Sequence, residues 1–419
     1  MKIAVIGAGI IGVTTAWELA QDGHEVTVFE RRIAAAEEGS FANTGLVAPG
    51  YIGPWAAPGM SFRIMRHLLA RHAPVRFSLP LHGSDLAWMW KCWRACSPEA
   101  HQHNRRNLQG LALYSRERLH ELSSALEFEF DQSQGLLVLL RSEREQAQWR
   151  LNLPLLRDQG IAHRELSPEE ARTIEPALNP DTTFHGALHL PGDEAGNCRQ
   201  FALLLKNEAI KRGVQFAFST IVDHLQPAAG SGIEVQVASE GQPRRFDAAV
   251  LCAGVDSARL LRPLGPRIPL APVYGYSVSA TVREPLNAPR GAVMDERYKV
   301  AIARLGNRVR VGGTAELGGR PEAQRRAALQ TLYKVLQDWF PGAAVLSSGV
   351  QTWKGARPML PDGPPLLGAS GIPGLWLNTG HGADGWALSF GSARAVADLV
   401  AGRKPALDLD GCGLQRLQG

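Results

Sequence analysis

The chain has 419 residues, 45% hydrophobic and 20% charged, the composition of an ordinary soluble globular protein too long for one compact core. Its 45 Lys and Arg outnumber 40 Asp and Glu by five, a mild basicity that suits an anionic substrate, cofactor or membrane surface; with no stacked-aromatic module, helix-turn-helix punctuation or basic block, nucleic acid is not an expected partner. Five scattered cysteines (Cys92, Cys96, Cys198, Cys252 and Cys412) make no disulfide framework and favour a reducing cytoplasm.

The run Lys2-Ile3-Ala4-Val5-Ile6 is a short β-branched strand that meets turn glycines before a secretory apolar region could form, so no signal peptide is expected. The turn Gly7-Ala8-Gly9-Ile10-Ile11-Gly12 opens a helix reaching Asp22, and a second strand, Val26-Thr27-Val28-Phe29, closes on Glu30. This is a complete dinucleotide-binding βαβ pattern. Gly7 permits the tight turn, Gly9 lets backbone approach a pyrophosphate at the helix start beside Ile10 and Ile11, and Gly12 lets helix and strand pack closely. Glu30, followed by Arg31, would accept a hydrogen bond from a ribose hydroxyl and would repel a 2′-phosphate, so NADP is disfavoured. FAD and NAD both stay open on this segment.

From Ser40 to Phe62 no Asp, Glu, Lys or Arg occurs, but Pro49, Pro54 and Pro58 with four glycines would break a membrane-spanning helix. The stretch is expected as irregular backbone against a ligand. Residues 62–72 put Arg63, Arg66, His67 and Arg71 on one helical face and Ile64, Met65, Leu68 and Leu69 on the other. That pattern suits an ordinary surface helix or a basic amphipathic helix lying on a membrane. Trp88, Met89, Trp90 and Trp93 are expected as core packing. His101 and His103 could share a metal only on a strand or loop and have no carboxylate or cysteine beside them, so no metal is expected.

Alternating runs at Gly135 to Leu140, Val273 to Val282 and Arg308 to Val311 suggest an antiparallel sheet capped by helices. Ser167-Pro168-Glu169-Glu170 is a helix-start signal with no chemistry assigned. Further on, Arg357-Pro358-Met359-Leu360-Pro361-Asp362-Gly363 sets an arginine in a proline-fixed loop; alone, it fits carboxylate recognition or a surface pairing with Asp362 equally well. Near the end, Gly380-His381-Gly382-Ala383-Asp384-Gly385 follows an apolar run and precedes a helix from Trp386 to Val400. That turn offers helix-end dipole to a group that becomes negative, as the N1–C2=O edge of a flavin does on two-electron reduction; a nicotinamide makes no such demand.

With these pieces in order, and with Ser40-Phe41-Ala42-Asn43-Thr44-Gly45, Pro49-Gly50-Tyr51, Leu190-Pro191-Gly192-Asp193-Glu194, Gly275-Tyr276-Ser277 and Asp295-Glu296-Arg297-Tyr298-Lys299 between them, the chain resembles the flavoprotein amine dehydrogenases of the D-amino-acid oxidase and glycine oxidase superfamily, and within it the catalytic small subunits of bacterial D-amino-acid dehydrogenases. The resemblance implies an α/β (α+β overall) fold, with a Rossmann-like FAD-binding domain at 1–48, 193–264 and 346–419 and an antiparallel-sheet substrate domain at 49–192 and 265–345. It implies that Ser40, Asn43, Thr44 and Gly45 lie against the flavin and its ribityl chain, that Val222 meets the adenine side, and that Ala253 and Gly254 line the pyrophosphate region. Arg31 joins Glu30, and Gly380, Gly382 and Gly385 join the flavin contacts.

Arg357 is similar to the superfamily's substrate-carboxylate clamp, and Tyr51, Tyr276, Tyr298 and His381 complete the implied catalytic set. Monomeric sarcosine oxidases hold their flavin through a cysteine at about the place of Gly355, so noncovalent FAD is expected here. The implied reaction is oxidation of a D-amino acid by hydride transfer from Cα to flavin N5, giving a 2-oxo acid and ammonia after hydrolysis, with a quinone or other respiratory electron acceptor. The implied location is the cytoplasm, with peripheral membrane association at the inner face of the bacterial inner membrane as an added reading. Rival readings are an oxygen-using glycine, sarcosine or cyclic imino acid oxidase, a non-catalytic flavin-binding subunit, and an NAD dehydrogenase.

Overall fold

The computed structural model describes residues 1–60 and 72–417. The amphipathic pattern at 62–72 thus lies outside the described residues, except for His72. A six-stranded sheet runs in the order Leu366–Ala369, Leu375–Thr379, Ala248–Leu251, Lys2–Ile6, Glu25–Phe29, Gln215–Ala217. Its pairings are parallel apart from the edge pair Leu366–Ala369 with Leu375–Thr379. Ile3, Ala4 and Val5 are fully buried, as a parallel strand covered on both faces demands. Val5, Val28, Phe201, Leu388 and Phe390 share one core, where the helices Ile10–Gln21, Cys198–Lys211 and Gly385–Val400 cover the sheet. Across it, Ala4, Ile6, Leu225, Ile233 and Leu375 form another core with the three-stranded sheet Val222–Pro227, Ile233–Val237, Arg244–Phe246.

Two glycines make the first turn. Gly7 has φ +105, and a Cβ there would stand 2.6 Å from the Cys252 carbonyl oxygen; a Cβ on Gly12 would stand 1.8 Å from the carbonyl oxygen of Gly7 itself.

The larger sheet has ten strands, with the main path Gln351–Met359, Ala271–Thr281, Arg308–Gly318, Val300–Leu305, Ala292–Asp295, Ser133–Leu140, Gly186–Ala195, Leu46–Val47. It is mostly antiparallel; Ala292–Asp295 with Ser133–Leu140 and Arg308–Gly318 with Val75–Ser78 are the parallel exceptions. The helix Arg326–Trp339 closes one face over Val278, Ile302 and Val311. Sheet membership differs from the expected division at Gln351–Met359 and at Leu46–Val47, which pairs with Gly186–Ala195 in the larger sheet. Gln351–Met359, grouped above with the FAD-binding segments, is hydrogen-bonded along its length to Ala271–Thr281 of the larger sheet.

Other expectations resolve locally. Ser167 and Glu170 form a capping box at the helix Pro168–Ile174. Trp88 is buried and donates to the Met359 carbonyl at 3.0 Å, but Trp90 and Trp93 are 54% and 60% exposed, correcting the reading of the whole group as core. His101 and His103 sit two apart on the helix Pro98–Ala125, so they point to different faces; His101 Nδ1 lies 2.8 Å from the Ala56 carbonyl oxygen.

Asp193 anchors the loop that carries Tyr51. It is 1% exposed, accepts from the Gly50 N–H at 3.0 Å through Oδ1, and leaves Oδ2 without a hydrogen-bond partner among the described residues. Burial pushes its carboxyl up to about 7, against the pull of the Gly50 N–H and Arg116. Since the unfolded carboxyl titrates near 3.9, the native chain retains a proton that the unfolded chain has already released between about pH 4 and 7, so stability falls as pH rises through that window. Relief of about three pKa units is worth about 4 kcal/mol, of which an unpartnered amide N–H would cancel about 1–3. Asp193→Asn should therefore raise the melting temperature at pH 8, where the relief exceeds the amide penalty, lower it at pH 4, where only the penalty remains, and flatten the dependence between. Equal shifts at both pH values in thermal melts would refute this account.

Candidate active site

One cavity of about 1840 Å³ opens at the carboxyl ends of Lys2–Ile6, Glu25–Phe29, Ala248–Leu251 and Leu375–Thr379, where parallel-sheet folds place their ligands. It exceeds the roughly 300–1,000 Å³ of common small-molecule sites, leaving room for a dinucleotide and a substrate together. Gly7, Gly9, Ile10 and Ile11 line it, while Gly12 stands behind them against Gly7. The Ile10 N–H at the helix start donates to Ser40 Oγ at 3.0 Å. Glu30 is fixed at its strand end by accepting from the N–H groups of Ala8 and Arg32, at 2.7 and 2.8 Å. Arg31 borders the same end but spends its charge within the protein, paired with Glu38 at 2.6 Å and with Asp256.

The charge-free stretch is irregular from Ser40 to Gly59 apart from the two-residue strand Leu46–Val47, and it lines the cavity with Ser40, Asn43, Thr44 and Gly45. Asn43 Oδ1 accepts from the Gly45 N–H at 3.1 Å, and Trp386 Nε1 donates to the Gly45 carbonyl at 3.1 Å, tying this loop to the C-terminal helix. Val222, Ala253 and Gly254 also line the cavity; the Val222 carbonyl accepts from Arg259 at 3.2 Å. Gly380, Gly382 and Gly385 border it from the C-terminal turn.

Arg357 reaches this cavity from the larger sheet. It stands opposite Val273, and its guanidinium lies over Gly275, where a Cβ would come within 2.2 Å of Nη2. Nη1 donates to the Thr314 carbonyl at 2.8 Å, and Thr314 itself has φ +54, an uncommon backbone conformation for a β-branched residue. Asp362, the other partner the sequence offered, is bonded instead to Arg416 at 2.7 Å. Among the described residues Arg357 has no ion pair. Burial lowers its guanidinium to about 10, partly countered by Asp384, so it stays cationic at neutral pH.

The three tyrosines separate. Tyr51 lines the cavity, stacks on Trp149 at 5.7 Å, donates to Glu296 at 3.1 Å and accepts from Lys299 at 3.1 Å; burial, with Glu296 adding, lifts its hydroxyl well above the ordinary tyrosine value. Tyr276 borders the cavity, but its ring belongs to the core under Arg326–Trp339 and its hydroxyl is taken by Glu316 and the Arg325 N–H. Tyr298 does not line the cavity; Arg141 lies over its ring at 5.2 Å and Lys334 at 5.3 Å. His381 is buried, lies 3.0 Å from Ser392 Oγ through Nε2, and is pushed down to about 3 by burial, so it is neutral at pH 7.

Asp384 and Arg105 are among the cavity-lining charges that sequence reasoning passed over. Asp384 is half-buried in the C-terminal turn, signalled only by an acid inside a turn read as anion-stabilising. Arg105 is 6% exposed, bonded to Asn152, with Nε unpartnered among the described residues, and lowered to about 10 by burial; an arginine within a polar helix carried no signal.

The profile of the DAO family, FAD dependent oxidoreductase, matches residues 2–399. The chain belongs to this family. Among relatives of this DAO-family chain, a D-amino acid dehydrogenase of Methylobacterium sp. (strain 4-46) is 42% identical over 97% of both chains. One from Bradyrhizobium diazoefficiens is 40% identical over 99% of both. In fold it resembles the glycine oxidase of Geobacillus kaustophilus (TM-score 0.78, 24% identity, 99% of this chain and 98% of that one) and the L-proline dehydrogenase of P. horikoshii (TM-score 0.76, 18% identity, 100% and 97%). The family's cofactor is FAD, and this DAO-family site fits it: a side-chain-free Gly9, an acid at the second strand end and a helix start meet in one crevice. Among the described residues no helix is long and apolar enough to cross a membrane.

Proposed function

We propose that this chain oxidises D-amino acids to 2-imino acids, which water converts to 2-oxo acids and ammonia. The observation that carries the reading is Arg357, a cation with no ion pair among the described residues, on the wall of the cavity that fits FAD. A half-buried arginine without a counter-charge is costly unless an anion completes it, and a substrate carboxylate does so bidentately. The relatives named above supply the substrate class and its handedness.

When bound, FAD supplies the two-electron acceptor for hydride leaving Cα. Arg357 holds the substrate carboxylate and is itself oriented by the Thr314 carbonyl, while Gly275 leaves the space its guanidinium occupies. Tyr51, held between Glu296 and Lys299, walls the pocket on the side of Trp149. Noncovalent attachment is supported by Gly355, whose missing side chain leaves room for the Trp353 ring, and by Cys252, whose thiol donates to Thr15 and is pushed up to about 12 by burial. Onward electron transfer to a quinone or other respiratory acceptor, with peripheral contact at the inner membrane face, belongs to the same proposal.

The test is the visible spectrum of the purified protein under anaerobic conditions, before and after D-alanine, D-proline and their L-enantiomers. Flavin bands should bleach with the D-substrates only, and re-oxidation in air should be slow with little peroxide. Bleaching by L-enantiomers alone, or by no amino acid, would refute the assigned substrate class; fast recolouring with stoichiometric peroxide would make the chain an oxidase.

A further inference from the structure

Asp384 occupies the N-cap position of the helix Gly385–Val400, yet its side chain caps none of that helix's N–H groups. An aspartate in this position ordinarily accepts from the second or third helical N–H, and forgoing that bond leaves the helix start less stable. The carboxylate lines the cavity instead, with no hydrogen bond or ion pair among the described residues. His381, three residues earlier, does not claim it, since its Nε2 faces Ser392. Arg357 lines the same cavity without closing an ion pair with Asp384; burial pushes the Asp384 carboxyl up to about 7 against the pull of Arg357, so a cationic partner is what would hold it fully ionised at neutral pH.

Two opposite charges held apart on one cavity wall complement a molecule that carries both. We propose that Asp384 docks the amino group of the substrate, forming with Arg357 a receptor for the 2-amino acid zwitterion. This rests on the amino acid reading of the site and deepens it. The electrostatics of the helix start favour it: an uncompensated carboxylate there would offset the positive helix end that an electron-accepting cofactor needs, and a substrate ammonium restores the balance. The arrangement also makes the site selective for an amine. A 2-hydroxy acid of the same shape would satisfy Arg357 but offer Asp384 a neutral O–H donor in place of a cationic one, giving up the charge-assisted part of the contact in a partly desolvated pocket.

The test uses the FAD-loaded protein and two unreactive ligands, 2-aminoisobutyrate, which has no Cα hydrogen to lose, and isobutyrate, which lacks the amine. Binding is followed by perturbation of the flavin absorbance. The natural chain should bind the amine ligand about tenfold or more tightly than isobutyrate. Asp384→Asn should remove that preference by weakening 2-aminoisobutyrate while isobutyrate stays within roughly twofold, and Asp384→Glu should restore part of it. Equal affinities in the natural chain, or equal weakening of both ligands in Asp384→Asn, would overturn the assignment. If neither ligand binds and no D-amino acid bleaches the flavin, the amino acid reading falls with it; bleaching without amine preference sinks Asp384's role alone.

Discussion

Arg357→Ala is expected to lower kcat/KM for D-amino acids by roughly two to four orders of magnitude, because removing one member of a desolvated ion pair costs about 3–5 kcal/mol. The guanidinium is bonded to the Thr314 carbonyl but to no carboxylate among the described residues, so the substrate anion would be its ionic partner. Arg357→Lys should recover only part of the loss, since an ammonium cannot make the planar two-point contact. Flavin content should be unchanged in both variants, because Arg357 projects from the larger sheet and not from the βαβ unit. Steady-state kinetics with a dye acceptor give the answer. Near-normal kcat/KM in Arg357→Ala would remove the carboxylate clamp from this residue.

Gly12→Val is expected to yield protein without bound flavin. A Cβ at position 12 would lie 1.8 Å from the Gly7 carbonyl oxygen, and the atom it meets is backbone, which cannot swing aside as a side-chain tip can. Helix Ile10–Gln21 would have to lift from Lys2–Ile6, taking the helix start away from the crevice. Gly110→Ala is the control: it lies within the helix Pro98–Ala125, nothing stands within 4 Å of its Cβ position, and the change should be neutral or stabilising by up to about 1 kcal/mol. Flavin absorbance per protein and thermal melts report both. A yellow, stably folded Gly12→Val would show that close helix–strand contact is not what the cofactor crevice depends on.

The βαβ unit was legible because its cues are local. The observed helix Ile10–Gln21 and strand Glu25–Phe29 fall within a residue or so of the pattern, since glycine conformations and apolar periodicity act over a few residues. The family was legible for a related reason: ordered motifs from Gly7 to Trp386 survive whatever the loops between them do. Asn43, Thr44 and Gly45 could be named from such motifs, and the cavity collects them.

Side-chain direction was not legible. Tyr276 and Tyr298 sit in motifs as suggestive as that of Tyr51, but strand register turns the Tyr276 ring into the core under Arg326–Trp339, and Tyr298 lies beneath Arg141 and Lys334. One residue of register exchanges the faces of a sheet, and no local pattern reports which face holds the ligand. Likewise the proline-set loop offered Arg357 two partners, and only the approach of Arg416 from the far end of the chain, taking Asp362, released it. Spacing thus determined the dinucleotide-binding crevice and the order of the elements, and the resemblance carried by the ordered motifs pointed to the flavin. The tertiary structure decided which charges remain unpaired on the cavity wall, Arg357 and Asp384 among them, because pairing depends on contacts between segments far apart in the chain.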